Sequence, residues 1–100
     1  MNHKYVVEMH EVFSEWLGKV RDDNVYAMVI KRLRQVELGN FGDCKSVGGG
    51  VSELRLHFGS GYRLYYTIRD RRAVFMLCAG SKSNQVNDIK QAQKLAKEIP

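Results

Sequence analysis

Residues 51–69 constrain the fold most, because apolar and polar side chains alternate through nearly the whole stretch. The apolar side chains share one face of an extended chain: Leu54, Leu56, Phe58, Tyr62, Leu64, Tyr66 and Ile68. Gly59-Ser60-Gly61 interrupts the pattern, which predicts a β-hairpin with a three-residue loop and Phe58 opposite Tyr62. The other face is polar and carries Glu53, Arg55, His57, Arg63, Tyr65 and Thr67.

This polar face is a candidate functional surface. The predicted register places His57 opposite Arg63, Arg55 opposite Tyr65 and Glu53 opposite Thr67. Arginine donates paired hydrogen bonds to phosphate, so two guanidiniums on one patch of sheet favour an anionic ligand. The alternative is an ordinary solvent-exposed face, where polar residues alternate and neighbouring pairs contribute about 0.2–1 kcal/mol each. From the pattern alone we favour this alternative over catalysis.

The segments before the hairpin predict one strand and two helices. A first strand is expected at 4–9, and Asp22-Asp23-Asn24 can cap the second helix. Apolar residues at helical spacing form the two buried stripes: Val12, Phe13, Trp16, Leu17 and Val20, then Tyr26, Val29, Ile30, Leu33 and Val36. Asp43–Val47 predicts a short strand, and Gly48-Gly49-Gly50 predicts a bend or bulge before the hairpin.

The segments after the hairpin complete an α+β domain. Asp70-Arg71-Arg72 predicts a turn, and Ala73–Ala79 is apolar without alternation, as in an interior strand covered on both faces. The stripe of the last helix comprises Val86, Ile89, Ala92, Leu95, Ala96 and Ile99. The expected order is strand, two helices, antiparallel β-meander and C-terminal helix, with the helices on one face of the sheet.

Length and composition limit the class of protein. The 100 residues suit a single domain, 1–100, and no apolar run approaches the ~20 residues of a membrane span. The N-terminal sequence has no apolar signal-peptide core, so we expect a cytoplasmic protein. Cys44 and Cys78 predict reduced thiols rather than a disulfide or a zinc site. Residues 1–54 carry a net charge of −1 and residues 55–100 a net charge of +6, which favours an anionic partner for the second half, such as nucleic acid or an acidic protein segment.

The residue types on the polar face match those that cleave RNA without a metal or cofactor. Such cleavage needs a base for the 2′-hydroxyl proton, cations for the phosphoryl charge and an acid for the leaving oxygen. His57 or Glu53 is the candidate base, and Arg55 and Arg63 are the candidate cations. Tyr65 can stack on a base or donate a proton. Lys82 and Lys45 are candidate substrate contacts.

Several runs of the sequence resemble the RelE/ParE superfamily of bacterial toxins. They are Gly-Asn-Phe-Gly-Asp-Cys-Lys at 39–45, Gly-Val-Ser-Glu-Leu-Arg-Leu at 50–56, Gly-Ser-Gly-Tyr-Arg-Leu-Tyr-Tyr at 59–66 and Lys-Ser-Asn-Gln-Val-Asn-Asp-Ile at 82–89. The combination is most similar to the addiction-module killer-protein branch, akin to HigB-type toxins. The resemblance implies the compact α+β toxin fold and a cognate antitoxin with a helix-turn-helix DNA-binding region. It also implies metal-independent cleavage of mRNA on the ribosome.

The resemblance assigns roles residue by residue. The arginine of the Gly-Tyr-Arg strand contacts phosphate in RelE-like members, which implies that role for Arg63. The basic residues of the preceding strand match Arg55 and His57, and Lys82 follows the last strand as a basic residue does in the family. The aromatic residue that those enzymes carry early in the last helix is absent, and this region holds Gln85 and Asp88 instead.

Two other functions remain open at this point. ParE-like members of the superfamily inhibit DNA gyrase and lack a nuclease site. A degenerate module that only binds its antitoxin is the third possibility. The branch usually has Gly-Gly-Asp-Lys where this chain has Ala79-Gly80-Ser81-Lys82.

Overall fold

The computed structural model describes residues 4–100 and contains one five-stranded sheet flanked by three α-helices. The elements in chain order are β1 (Val6–Met9), α1 (Glu11–Gly18), α2 (Asp23–Glu37), β2 (Cys44–Gly48), β3 (Val51–Leu56), β4 (Tyr62–Arg69), β5 (Ala73–Ser81) and α3 (Gln85–Ala96), with a 3₁₀ turn at Lys82–Asn84. The predicted α+β class and the predicted order of elements are confirmed. No helix of this described part of the chain has the length and apolarity needed to cross a bilayer.

The sheet has the strand order β1-β5-β4-β3-β2. Strands β2 to β5 form the predicted antiparallel meander, and β1 pairs in parallel with β5 at one edge. The turn between β4 and β5 has positive φ at Asp70 and Arg71, both +55°, as in the tight turns whose twist matches that of a hairpin. A register shift between Ser46 and Gly48 confirms the expected irregularity before β3.

The predicted register of the central hairpin is wrong by two residues. Leu56, not Phe58, lies opposite Tyr62, so the loop spans residues 57–61 rather than 59–61. The loop closes locally, because the amide of Gly61 donates to the carbonyl of Phe58 at 3.0 Å and the Phe58 and Tyr62 rings lie 5.5 Å apart. A shift of two residues keeps the side chains of the paired strands on their predicted faces, whereas His57 and Phe58 lie in the loop. It changes the cross-strand partners, so that Arg55 faces Arg63 and Glu53 faces Tyr65.

Helices cover both faces of the sheet, so the expectation that all helices lie on one face is wrong. The helical hairpin α1–α2 packs on the face that carries Leu54, Leu56, Leu64, Tyr66, Val74 and Met76. Helix α3 packs on the opposite face against Val51, Tyr65, Leu77 and Cys78 through Ala92, Leu95 and Ala96. The apolar stripe of α3 also has to leave water, and the second face of the sheet is the surface that buries it. The prediction that β5 is covered on both faces is confirmed.

A bulge in β5 sets which residues face α3. Tyr65 pairs with Cys78 but Tyr66 pairs with Met76, which leaves Leu77 as an extra residue. The extra residue turns Leu77 and Cys78 toward the same helix and brings Gly80, rather than Ala79, onto the α3 side opposite Arg63.

Arg32 fastens the loop before β2 to the end of β3. Its guanidinium donates to the carbonyl oxygens of Phe41 (3.0 and 3.3 Å), Asp43 (2.9 Å) and Arg55 (2.9 Å). Gly42 has φ +65°, and a Cβ there would lie 2.9 Å from Arg32 Nη2. The Arg32 side chain therefore satisfies backbone carbonyls of the loop and of β3, which holds the loop in one conformation.

Gly80 leaves the space in which the first turn of α3 packs on the sheet. A Cβ at this position would lie 2.0 Å from Oδ2 of Asp88, in the first turn of the helix. We therefore expect Gly80→Ala to displace the start of α3 and to lower the unfolding free energy by about 1–3 kcal/mol in urea denaturation. The control is Gly18→Ala at the end of α1, where nothing lies within 4 Å. The unfolding free energy of that variant should be unchanged or higher by up to about 1 kcal/mol. Equal losses of unfolding free energy in both variants would contradict a specific role of Gly80 in the packing of α3.

Candidate functional site

The predicted site residues lie in two rows that cross the sheet on the α3 side. The inner row comprises Lys45, Glu53, Tyr65 and Cys78, and the outer row comprises Arg55, Arg63 and Gly80. Lys82 joins the outer end of the sheet, because its amide donates to the carbonyl of Gly61 at 2.7 Å. His57 follows β3 at the same end. The fold thus brings the predicted residues together, with Lys45 apart on the edge strand.

Glu53 is buried, with no exposed surface, and both of its carboxylate oxygens are bonded. Oε1 accepts from Arg55 Nε and Oε2 accepts from Gln85 Nε2, each at 3.1 Å. The bond from Gln85 ties α3 to β3. Because the Arg55 side chain keeps 29% of its surface exposed, Glu53 holds an accessible guanidinium from below. The expectation that Glu53 lies on an open face is wrong, and its catalytic role stays a prediction.

Arg63 lies at the floor of the site and not on an exposed face as expected. It is 7% exposed, its Nη1 donates to the carbonyl of Tyr62 at 3.1 Å, and its Nε is buried without a partner. None of the ion pairs found within residues 4–100 includes Arg63. A buried guanidinium with an unused donor is a costly arrangement for the fold alone, and an anion that reaches it would satisfy that donor.

Tyr65 is fully buried under α3, so the expectation that it lies on an exposed face is wrong. Its hydroxyl has no hydrogen-bond partner. Burial raises the pKa of the Tyr65 phenol, and the nearby carboxylates of Glu53 and Asp88 raise it further. The phenol stays protonated and cannot stack on a base in this conformation. Its role in substrate binding stays a prediction.

Asp88 is a buried acid beside these residues. It is 8% exposed, Oδ1 accepts from Asn84 Nδ2 at 3.1 Å, and Oδ2 has no partner. Burial raises the pKa of the Asp88 carboxyl, and the bond from Asn84 opposes the shift. Burial and then Asp88 raise the pKa of the neighbouring Cys78 thiol to about 12, which keeps that thiol unreactive.

The sequence carried a signal for the burial of Asp88. The residue lies at helical spacing from Ala92, Leu95 and Ala96, on the stripe that α3 buries. A carboxylate on an apolar stripe is rare unless it has a task or a partner. The sequence could not show that Gly80 makes the space for it, since that depends on the bulge in β5.

The accessible part of the site combines cations with an acid–imidazole pair. Lys82 and His57 are exposed, and His57 Nε2 is paired with Asp43 Oδ2 from the loop before β2. The hydrogen bond from His57 is the largest of the effects that hold the pKa of the Asp43 carboxyl below its usual value. A cavity of about 290 Å³, the α2–β3 cavity, opens beside the pair and is lined by Met28, Lys31, Arg32, Gln35, Asp43, Arg55, Leu56, His57 and Phe58.

No group of three or more His, Cys, Asp or Glu side chains within residues 4–100 is arranged to hold a metal ion. The arrangement offers two exposed cations, one buried guanidinium and one imidazole at the end of a sheet. This is chemistry suited to an anion such as a phosphodiester.

The fold is that of the RelE toxin. The E. coli toxin RelE, solved in the free state as a mutant, superposes with a TM-score of 0.71 at 22% identity over 98% of this chain and 100% of that one. A chain of the intact E. coli RelBE toxin–antitoxin complex superposes with a TM-score of 0.63 at 25% identity, covering 77% of this chain and 95% of that one.

The protein belongs to the family described as Phage derived protein Gp49-like (DUF891), whose model matches residues 15–99. An uncharacterized protein of Haemophilus influenzae is 44% identical over 87 residues, which are 87% of this chain and 88% of that one. The Gp49-like fold of this chain is therefore a RelE-type fold in which Glu53 and Tyr65 are buried on the side of the sheet that the last helix covers.

The two perturbed acids predict opposite effects of pH on stability. The pKa of Asp88 is raised in the folded state, so the folded protein binds a proton that the unfolded chain releases near the ordinary value of 3.8. The contribution of Asp88 to stability should therefore fall as pH rises from 3.8 through the raised pKa. The pKa of Asp43 is lowered, so its contribution should be lost as pH falls below 3.8.

The measurement is urea unfolding of wild type, Asp88→Asn and Asp43→Asn across pH 3 to 7, a range of about four units. As pH rises, the unfolding free energy of Asp88→Asn should increase relative to that of wild type. Over the same rise in pH, the unfolding free energy of wild type should increase relative to that of Asp43→Asn. The same trend in both differences would contradict the assignment of the two environments.

Proposed function

We propose that this protein is the toxin of a type II toxin–antitoxin pair and a metal-independent, ribosome-dependent mRNA endoribonuclease that inhibits translation. The observation that carries the proposal is the gathering of Arg55, Arg63 and Lys82 beside His57 at one end of a RelE-type sheet. The likeness to RelE and to the RelBE complex supports a toxin with a cognate antitoxin. The sequence runs at 39–45 and 82–89 support the HigB-like, addiction-module branch.

The proposed reaction is attack of a 2′-hydroxyl oxygen on the adjacent phosphorus. The new P–O2′ bond replaces the P–O5′ bond, one proton leaves the 2′-oxygen, and water gives one proton to the departing 5′-oxygen. His57 is the proposed proton-transfer group, because its imidazole is exposed at the site and a neutral imidazole has one unprotonated nitrogen that can accept a proton. Arg55 and Lys82 contact the phosphate from the accessible side. Their charge stabilises the extra negative charge of the transition state.

The buried residues act from below in this proposal. Arg63 offers its unpartnered Nε at the floor, and Glu53 holds Arg55 through the bond between Oε1 and Nε. Glu53 is thus a positioning residue rather than a group that contacts RNA. Tyr65 and Asp88 form the rest of the floor, and Lys45 on the exposed edge strand contacts a flanking phosphate. A ribosomal target makes the cytoplasm the place of action.

The test of the proposed function is controlled expression followed by mapping of mRNA 5′ ends. We expect growth arrest and codon-phased cuts in translated messages. Arg55→Gln should lower cleavage about a hundredfold, because it removes a cation from the transition state. Because Arg55 also bonds the buried Glu53, urea unfolding of the variant is measured alongside to show that it still folds. Arg72→Gln, with the same loss of charge at the exposed β4–β5 turn, is the control and should cleave as wild type does.

Other outcomes would overturn the proposal. Gyrase-dependent DNA breaks with intact messages would identify a gyrase inhibitor instead. Unimpaired growth would identify a module that only binds its antitoxin. Equal losses in Arg55→Gln and Arg72→Gln would show a dependence on net charge rather than on this site.

We propose that the antitoxin, which we expect to carry a helix-turn-helix DNA-binding region, binds at the β1 edge. Val6 and His10 donate their backbone amides to the β5 side at 2.8 Å, so alternation turns those of Val7 and Met9 to the open edge. A groove of about 230 Å³ between this edge and α2 is lined by Val7, Met9, Ile30, Leu33, Arg34 and Glu37. A strand of the antitoxin that pairs with β1 would fill the groove.

The antitoxin surface predicts a loss of neutralisation without a loss of toxicity. Met9 is 40% exposed, and Met9→Asp should weaken binding of the antitoxin encoded beside the toxin gene about tenfold or more. Val86 is 67% exposed on α3, and Val86→Asp is the control that should bind normally. Copurification of each tagged variant with the antitoxin measures this. Normal binding by Met9→Asp, or a matching loss in Val86→Asp, would contradict the edge assignment.

A further inference from the structure

Asp43 and His57 form a pair that the sequence pattern did not indicate. They lie 14 positions apart, in the loop before β2 and in the loop after β3, and Asp43 Oδ2 is paired with His57 Nε2. Both side chains are largely exposed, 45% for Asp43 and 65% for His57. An ion pair of this exposure contributes little to stability, so the fold does not depend on it.

The backbone of Asp43 is held more firmly than its exposure indicates. Its carbonyl oxygen accepts from the amide of Arg55 and from Nη2 of Arg32, each at 2.9 Å. The guanidinium of Arg32 packs beside Gly42, immediately before Asp43, where a Cβ would lie only 2.9 Å from Nη2. The carboxylate therefore projects from a fixed point toward an imidazole that has only the loop 57–61 to hold it.

The chemistry of the pair fixes which nitrogen carries the proton. The hydrogen bond from His57 is first among the effects that lower the pKa of Asp43, and the charges of Arg55, His57 and Arg32 add to it. An ionised carboxylate only accepts hydrogen bonds, so Nε2 of His57 is the donor. In the neutral imidazole Nδ1 is then the unprotonated nitrogen.

Three cationic side chains line the cavity beside the pair. Lys31 and Arg32 from α2 and Arg55 from β3 line the α2–β3 cavity together with Asp43 and His57. The cavity of about 290 Å³ is large enough for a phosphate and part of its nucleoside. A phosphodiester held by these cations would lie beside the imidazole.

We propose that Asp43 is a positioning residue that holds His57 as the Nε2–H tautomer, so that Nδ1 faces the RNA and accepts the 2′-hydroxyl proton. This inference rests on the proposed function. The proton moves from the 2′-oxygen to Nδ1 as the P–O2′ bond forms and the P–O5′ bond breaks, and water protonates the departing 5′-oxygen. The imidazolium that results is stabilised by the Asp43 carboxylate. Asp43 acts through His57 and does not contact the substrate.

The kinetic test is single-turnover cleavage of ribosome-bound mRNA by purified toxin. Asp43→Asn should cleave about 10–100-fold more slowly with unchanged affinity for the programmed ribosome, the size of effect seen when an orienting partner of a histidine is lost. His57→Ala should lose about a hundredfold or more. In the double variant, Asp43→Asn should add nothing to His57→Ala, because its whole effect passes through the imidazole. Asp70→Asn, an exposed acid at the β4–β5 turn, is the control and should cleave normally.

The outcomes separate this inference from the proposed function. If wild type cleaves and Asp43→Asn cleaves equally well, or if the two losses add in the double variant, the inference is overturned and the nuclease stands. If wild type does not cleave, the proposed function fails and the inference fails with it.

A second measurement does not depend on cleavage. Nitrogen-15 NMR of the histidine side chains should show the Nε2–H tautomer of His57 in wild type and a mixture of tautomers in Asp43→Asn. A mixture already present in wild type would overturn the positioning role even if the variant is slow.

Discussion

The structure depends on the packing of α3 across a sheet face that is polar at one end and apolar at the other. Ala92, Leu95 and Ala96 bury apolar surface on the inner part of that face. The start of the helix then has to lie over Glu53, Arg63 and Tyr65, whose burial is a consequence of the same contact. Burial of the apolar half stabilises the folded state, and burial of the polar half costs desolvation free energy.

The cost of burial is offset unevenly, and this unevenness defines the site. Glu53 has both oxygens bonded, so its burial is compensated by Arg55 and Gln85. Arg63 Nε, the Tyr65 hydroxyl and Asp88 Oδ2 are buried without partners. Stable folds keep such groups few, and Arg63 Nε is the one among these three that is a cationic donor and that an anion would satisfy. The RNA phosphate is the ligand we propose.

Two local irregularities bring this arrangement about. The bulge at Leu77 rotates the end of β5, so that Gly80 rather than a residue with a Cβ faces Asp88. The loop before β2 is fastened by Arg32 to the end of β3, which places Asp43 beside His57. Neither feature belongs to the regular sheet, yet each decides where a titratable group lies. A RelE-type fold at 22% identity can thus carry its own set of side chains.

The sequence by itself determined the strands, the helices and the face of each residue in the paired strands of the hairpin. Period-two alternation fixes the face even when the register is misjudged by two residues, and helical stripes and the Asp22 cap mark the helices locally. It also indicated Arg55, Arg63 and His57 as neighbours. Only the tertiary structure decided which face is solvated, because the alternation of polar residues does not say whether a later helix will cover them. The pairing of Asp43 with His57 depends on the hydrogen bonds of Arg32, which join the loop before β2 to the end of β3. The packing of Asp88 against Gly80 depends on the bulge in β5. Local patterns carry no information about such contacts, since these form only when the whole chain is packed.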